Sequence, residues 1–127
     1  MEEKQKILVL PIKRKWFDMI RKGIKLEEYR EKKPYYETRL MNAFGCVIVG
    51  NQVVHGENVP AEIRTEWPAP VIFRNGYSRK SPEIMCYCNL SIGEGKEEWG
   101  AEPGKKYFVL SIEEIRERRR CSWDMCR

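Results

Sequence analysis

The chain has 127 residues, 42% of them apolar and 34% charged, with four Trp, six Tyr and four Phe; this suits one compact domain with a single core and excludes an intrinsically disordered chain. The formal charge of +5 is unevenly placed: residues 1–40 carry twelve Lys/Arg against seven Asp/Glu, and residues 41–127 carry twelve of each. No apolar run approaches the roughly 18–20 residues that span a bilayer, and the acidic start MEEK before a short apolar run lacks the pattern of a secretory leader, so a cytoplasmic protein with no membrane partner is expected.

In chain order, ILVLPI (7–12) reads as a short strand that Pro11 places at a sheet edge or bend. Trp16, Phe17 and Ile20 recur at helical spacing, which predicts a helix over 14–22. Gly23 is placed for the left-handed position that ends it, and Arg21 and Lys22 suit its negative end. Residues 26–30 read as a strand stopped by Pro34, and PYYETRLMNAF (34–44) as a second short helix. Residues 46–66 are expected to be rich in loops, because Gly50, Gly56 and Pro60 punctuate the short apolar runs CVIV and VVH.

Strands are expected at VIF (71–73), IMCYCNLSI (84–92) and YFVLSI (107–112). Asn75-Gly76 and Pro103-Gly104 mark turns, the second of type II. EEIRERRR (113–120) suits a helical turn within a tail, 113–127, that frays at its end. Five or six short strands with one or two early helices predict an α+β fold built on a small, mostly antiparallel barrel, as one domain over residues 1–127.

Five cysteines, an odd number, argue against a disulfide framework. Cys86 and Cys88 fall on one face of a strand, and with Cys121 and Cys126 they offer four thiols. C-x-C with C-x4-C is not a zinc-knuckle spacing, so reduced thiols and no metal are expected. His55, the one histidine, has no assignable hydroxyl or thiol partner, and Gly93-Glu94-Gly95 lacks the third glycine of a phosphate-cradling loop.

Gly23, Lys25, Glu28 and Arg30 stand as G-x-K-x-x-E-x-R just after the first predicted helix. This resembles the motif of the ASCH domain, the activating signal cointegrator homology domain. LPIKRKWFDMIRKG (10–23), FRNGY (73–77) and WGAEPGKKYFVLSI (99–112) extend the resemblance to bacterial and phage single-domain members over most of the chain, residues 41–68 excepted. The resemblance implies a PUA-like β-barrel and a cleft, lined by the motif, for RNA or a nucleotide-like ligand, with no cofactor. Some relatives are implicated as ribonucleases or as amidohydrolases that deacetylate acetylcytidine. Lys25 matches the lysine of those deacetylases, but Glu28 stands where they carry a nucleophilic threonine.

Chemistry adds a condition. On a regular strand Lys25 points away from Glu28 and Arg30, so the three converge only if the chain bends near Lys25, which Gly23 makes easy. Together they would suit a nucleotide: the cations for phosphate, the carboxylate for a base edge or a ribose hydroxyl. Tyr29, Tyr35, Tyr36, Tyr77 and Trp99 are candidates for base stacking, and Arg74 for the cleft mouth. Lys13, Arg14 and Lys15 supply peripheral attraction for phosphate or plain solubility. The main reading is an RNA- or nucleotide-binding domain. The alternative is an enzyme on RNA or a modified nucleoside, with Lys25 stabilising anionic charge and Glu28 as general base. Oligomeric state is not written in the sequence.

Overall fold

The computed structural model describes residues 7–118. Strand β1 (Leu8–Pro11) leads into helix α1 (Arg14–Arg21), strand β2 (Glu27–Glu31) and helix α2 (Pro34–Phe44). A small hairpin, β3 (Val47–Val49) with β4 (Gln52–Val54), is followed by β5 (Ala69–Arg74), β6 (Glu83–Glu94) and β7 (Lys106–Arg118). The five long-range strands form one sheet in the order β1-β5-β6-β7-β2, antiparallel throughout except for the β1–β5 pair. Two register shifts between β6 and β7, at Met85/Cys86 and Tyr87/Cys88, add local twist, and the sheet curls into a half-barrel. The architecture is therefore α+β and barrel-like, with two α-helices among the described residues. Among the described residues no helix is long and apolar enough to cross a membrane.

The helices close the concave side. Phe17 and Ile20 of α1 and Leu40 and Phe44 of α2 are wholly buried, each stabilising the fold by about 1.5–3 kcal/mol of apolar transfer. They pack with Val71 and Phe73 of β5, Ile84, Cys86, Cys88 and Leu90 of β6, and Phe108 and Leu110 of β7. Helix α1 ends as its sequence suggests. Gly23 takes φ +77°, its N–H donates to the Ile20 carbonyl at 3.0 Å, and that of Ile24 donates to the Met19 carbonyl at 2.9 Å, the paired bonds of a Schellman ending. Pro34 opens α2 and Gly45, at φ +60°, ends it.

One expectation is overturned. Residues 113–118 form no helical turn: β7 continues through Arg118, pairing Ile115 with Cys86 and Arg118 with Ile84. The twelve-residue β6 presents a full row of backbone donors and acceptors, and pairing them outweighs the helical bias of EEIRER. Residues 119–127, including Cys121 and Cys126, lie outside the described residues.

Candidate ligand cleft

The curled sheet has two edges, β1 and β2, which no backbone ladder joins. A cleft of about 400 Å³ opens at this seam. Pro11, Ile12 and Lys13 form one side where β1 passes into α1, with Trp16 following on the helix. Glu28 and Arg30 on β2 form the other side, and Asn75, Gly76 and Tyr77 after β5 complete the wall. Glu28 lies opposite Leu110 and Arg30 opposite Phe108 in the β2–β7 register. Directly paired residues share a face, so both side chains lie on the core side of the sheet, where charge must be paired to be tolerated.

Arg30 meets that demand and also spans the seam. Its Nε and Nη2 donate to Glu28 Oε2 at 3.1 and 2.7 Å. Nη2 also donates to the Pro11 carbonyl on β1 at 2.9 Å, and Nη1 to the Tyr36 hydroxyl at 3.2 Å. One side chain thus ties the two open edges together. A guanidinium has five N–H groups; these bonds account for four of them.

Lys25 sits behind this pair. The bend needed to bring it there occurs: its N–H donates to the Met19 carbonyl at 3.1 Å, and β2 begins only at Glu27. Its ammonium lies 3.2 Å from Glu28 Oε1 and donates to the carbonyls of Glu27 at 2.5 Å and Trp99 at 3.0 Å. Those three acceptors use all three ammonium hydrogens. The nitrogen also lies 5.1 Å from the centre of the Trp16 ring and 5.0 Å from that of Tyr29, within range of cation–π attraction. Only 1% of Lys25 is exposed, and it does not line the cleft. Burial lowers its pKa below the ordinary lysine value, with the Glu28 carboxylate opposing that shift.

The lid over Lys25 is the β6–β7 connection. Gly100, at φ +103°, brings its backbone so close to Trp16 that a Cβ there would stand 3.0 Å from the indole; a Cβ on Gly95 would stand 2.5 Å from the Tyr29 ring. These two approaches, with Lys25 bonded to the Trp99 carbonyl between them, press the connection against both rings.

Of the nine candidate residues, Glu28, Arg30 and Tyr77 line the cleft; Tyr77 is 88% exposed. Tyr29 faces the opposite side of the sheet, packed with Ala101, Tyr107 and Val109. Its hydroxyl donates to Glu27 Oε1 at 2.6 Å and accepts from the Lys96 N–H at 3.0 Å; burial, then the Glu27 bond, raises its pKa. Tyr36 backs Arg30 from α2, and Tyr35 meets it edge-on with ring centres 5.0 Å apart. Arg74 is held by Glu83, with Nε at 2.7 Å and Nη2 at 2.5 Å from Oε2. Trp99 is 9% exposed and meets the motif through its carbonyl, not its ring.

Two contributors were not read as site residues from sequence. Trp16 belongs to the apolar stripe of α1 yet lines the cleft, because Gly100 and Lys25 occupy the space beneath it. Asn75, read as a turn residue, also bridges to the segment between β1 and α1 by donating from Nδ2 to the Ile12 carbonyl at 3.1 Å. The turn chemistry of Asn75-Gly76 beside an expected strand end was the available signal.

Among the described residues no group of three or more His, Cys, Asp or Glu side chains is placed to hold a metal ion. Cys86 and Cys88 share one face of β6 and are wholly buried. Burial pushes the Cys86 thiol up to about 12 and the Cys46 thiol up to about 11, far from thiolate reactivity at neutral pH. Comparison with protein-family models, with curated proteins and with solved structures found no match.

Proposed function

We propose that the protein is a binding domain of the ASCH type, whose seam cleft takes single-stranded RNA or a nucleotide-like ligand. The observation that carries this reading is the composition of the cleft wall. It sets a fixed carboxylate and its paired guanidinium beside two aromatic rings, with the exposed Lys13 at the rim. Glu28 retains unused lone pairs that accept from a base edge or a ribose hydroxyl. Trp16 and Tyr77 offer faces for stacking, and Lys13, with neighbouring Arg14 and Lys15, draws a phosphate backbone. The GxKxxExR resemblance and the positive excess of residues 1–40 point the same way.

Lys25 has a supporting role in this reading: it holds Glu28 from behind and fixes the connection that backs Trp16. Recognition is favoured over catalysis by Glu28. Both of its oxygens already accept bonds from cations, and among the described residues no serine, threonine or cysteine lines the cleft to act as a nucleophile.

The test is anisotropy of a fluorescent short single-stranded RNA across a salt series. Tyr77→Ala, at an exposed position, is expected to weaken binding by roughly 5–150-fold, the worth of one base stack. Lys13→Ala is expected to lower the salt slope by about 0.7. Absent binding at low salt, or binding unchanged in both variants, overturns the proposal.

A further inference from the structure

A second groove, of about 540 Å³, opens between the β3–β4 hairpin and the middle of β6. Its chemistry differs from that of the seam cleft. Among the described residues no Lys, Arg, Asp or Glu lines it; the polar groups are the amides of Asn51, Gln52 and Asn58, Ser91 and the imidazole of His55, over an apolar floor that includes Leu90. The ammonium at its edge, that of Lys32, is taken up by Asn51 Oδ1 and lies 3.5 Å from the Gly50 carbonyl, which leaves little to offset the desolvation of a phosphate, so the guest the groove suits is neutral.

His55 provides a stacking surface that is already organised. It lies flat on Trp67, with ring centres 3.9 Å apart and planes 5° from parallel. Trp67 is fixed in turn: its Nε1 donates to the Phe44 carbonyl at 2.7 Å, and its ring meets the wholly buried Phe44 ring edge-on at 5.3 Å. Phe44, Trp67 and His55 thus make a column from the core to the surface, ending in a histidine that is exposed and lines the groove. Ordering such a platform costs little on binding, since its tryptophan is already held.

The amides are available to a guest. Asn51 accepts at Oδ1 from the Lys32 ammonium, which turns its NH₂ into the free group. The side chains of Gln52 and Asn58 have no partner among the described residues. An amide both donates and accepts, which matches the mixed edges of a base and does not select strongly among bases.

We infer that this groove is a second binding site, for an uncharged nucleobase or nucleoside stacked on His55 and hydrogen-bonded by Asn51, Gln52 and Asn58. The site does not depend on the seam cleft. Its affinity is weak and indifferent to salt, because no phosphate is neutralised.

The test titrates the full chain with adenosine and, separately, with ribose, followed by ¹H–¹⁵N and ¹H–¹³C NMR. Adenosine is expected to shift the Gln52 and Asn58 side-chain NH₂ signals and the His55 ring signals saturably, with the same affinity at low and high salt; ribose is not. His55→Ala, an exposed substitution, is expected to weaken adenosine binding at least about tenfold. His55→Phe, which keeps a flat ring, is expected to retain it within about threefold. The inference is overturned by the absence of these shifts, by equal shifts from ribose, by binding that survives His55→Ala, or by His55→Phe failing as His55→Ala does.

Discussion

Replacing Lys25 by methionine separates the role assigned to it here from direct ligand contact. Methionine keeps most of the apolar stem between Trp16 and Tyr29 and removes the ammonium. The carbonyls of Glu27 and Trp99 and Oε1 of Glu28 each lose a donor in a site where Lys25 is 1% exposed. Removing one partner of a buried ion pair costs about 3–5 kcal/mol. Two features pull the value toward the lower end. Arg30 still holds Glu28 through Oε2, and the folded state no longer carries the cost of burying the ammonium, the same burial that lowers the pKa of Lys25. The expected loss is about 3 kcal/mol, or a fall in melting temperature of roughly 12 °C for a domain of this size. Urea unfolding followed by tryptophan fluorescence measures the first quantity, and RNA anisotropy on the folded variant supplies the second readout. Affinity is expected to change less than about threefold, under 1 kcal/mol. A variant of unchanged stability that has lost binding more than about tenfold would refute the supporting role and place the ammonium on the ligand.

Two further outcomes follow from the packing. The Cys46 and Cys86 thiols are raised by burial to about 11 and about 12, from an ordinary value of 9.0. Their contribution to stability is therefore full below pH 9 and is lost as pH rises from there through those values, because the unfolded chain releases these protons first. The lowered Lys25 pKa acts oppositely, its burial cost easing as pH climbs toward 10.5. Cys86→Ala isolates the thiol: its stability should fall less steeply than the parent's between pH 9 and 11, by up to about 1.4 kcal/mol per pH unit; parallel curves would contradict the assignment. Gly45→Ala should destabilise by about 2–4 kcal/mol in urea, because Gly45 holds φ +60° and a Cβ there would stand 2.6 Å from the Thr65 nitrogen and run into the Ile63 carbonyl; a loss below about 1 kcal/mol would show that residues 63–65 yield freely.

The sequence carried local features well and distant ones poorly. Gly23 predicted the end of α1 because a Schellman ending is written in adjacent residues, and the apolar run VIF marked a strand that β5 contains. The strand character of residues 113–118 was hidden because its cause is β6, about thirty positions earlier in the chain. At the site, the spacing of Lys25, Glu28 and Arg30 near Gly23 foretold their convergence. Their unequal exposure could not be read: the carbonyl that closes over Lys25 belongs to Trp99, 74 residues away. Trp16 kept its helical periodicity while serving as cleft wall, because the half-barrel leaves its edge strands unjoined where α1 begins. The motif's tyrosine, Tyr29, lies on the opposite face from Glu28 and Arg30 through strict strand alternation, a rule that the sequence itself carries.

The seam cleft is tested most directly by the indole N–H signal of Trp16 in ¹H–¹⁵N spectra, titrated with a short single-stranded RNA at low salt. The signal should shift saturably together with the backbone amides of Asn75, Gly76 and Tyr77, and the shifts should fade as salt is added. RNA that leaves those four signals in place, whether it binds elsewhere on the protein or not at all, contradicts the account.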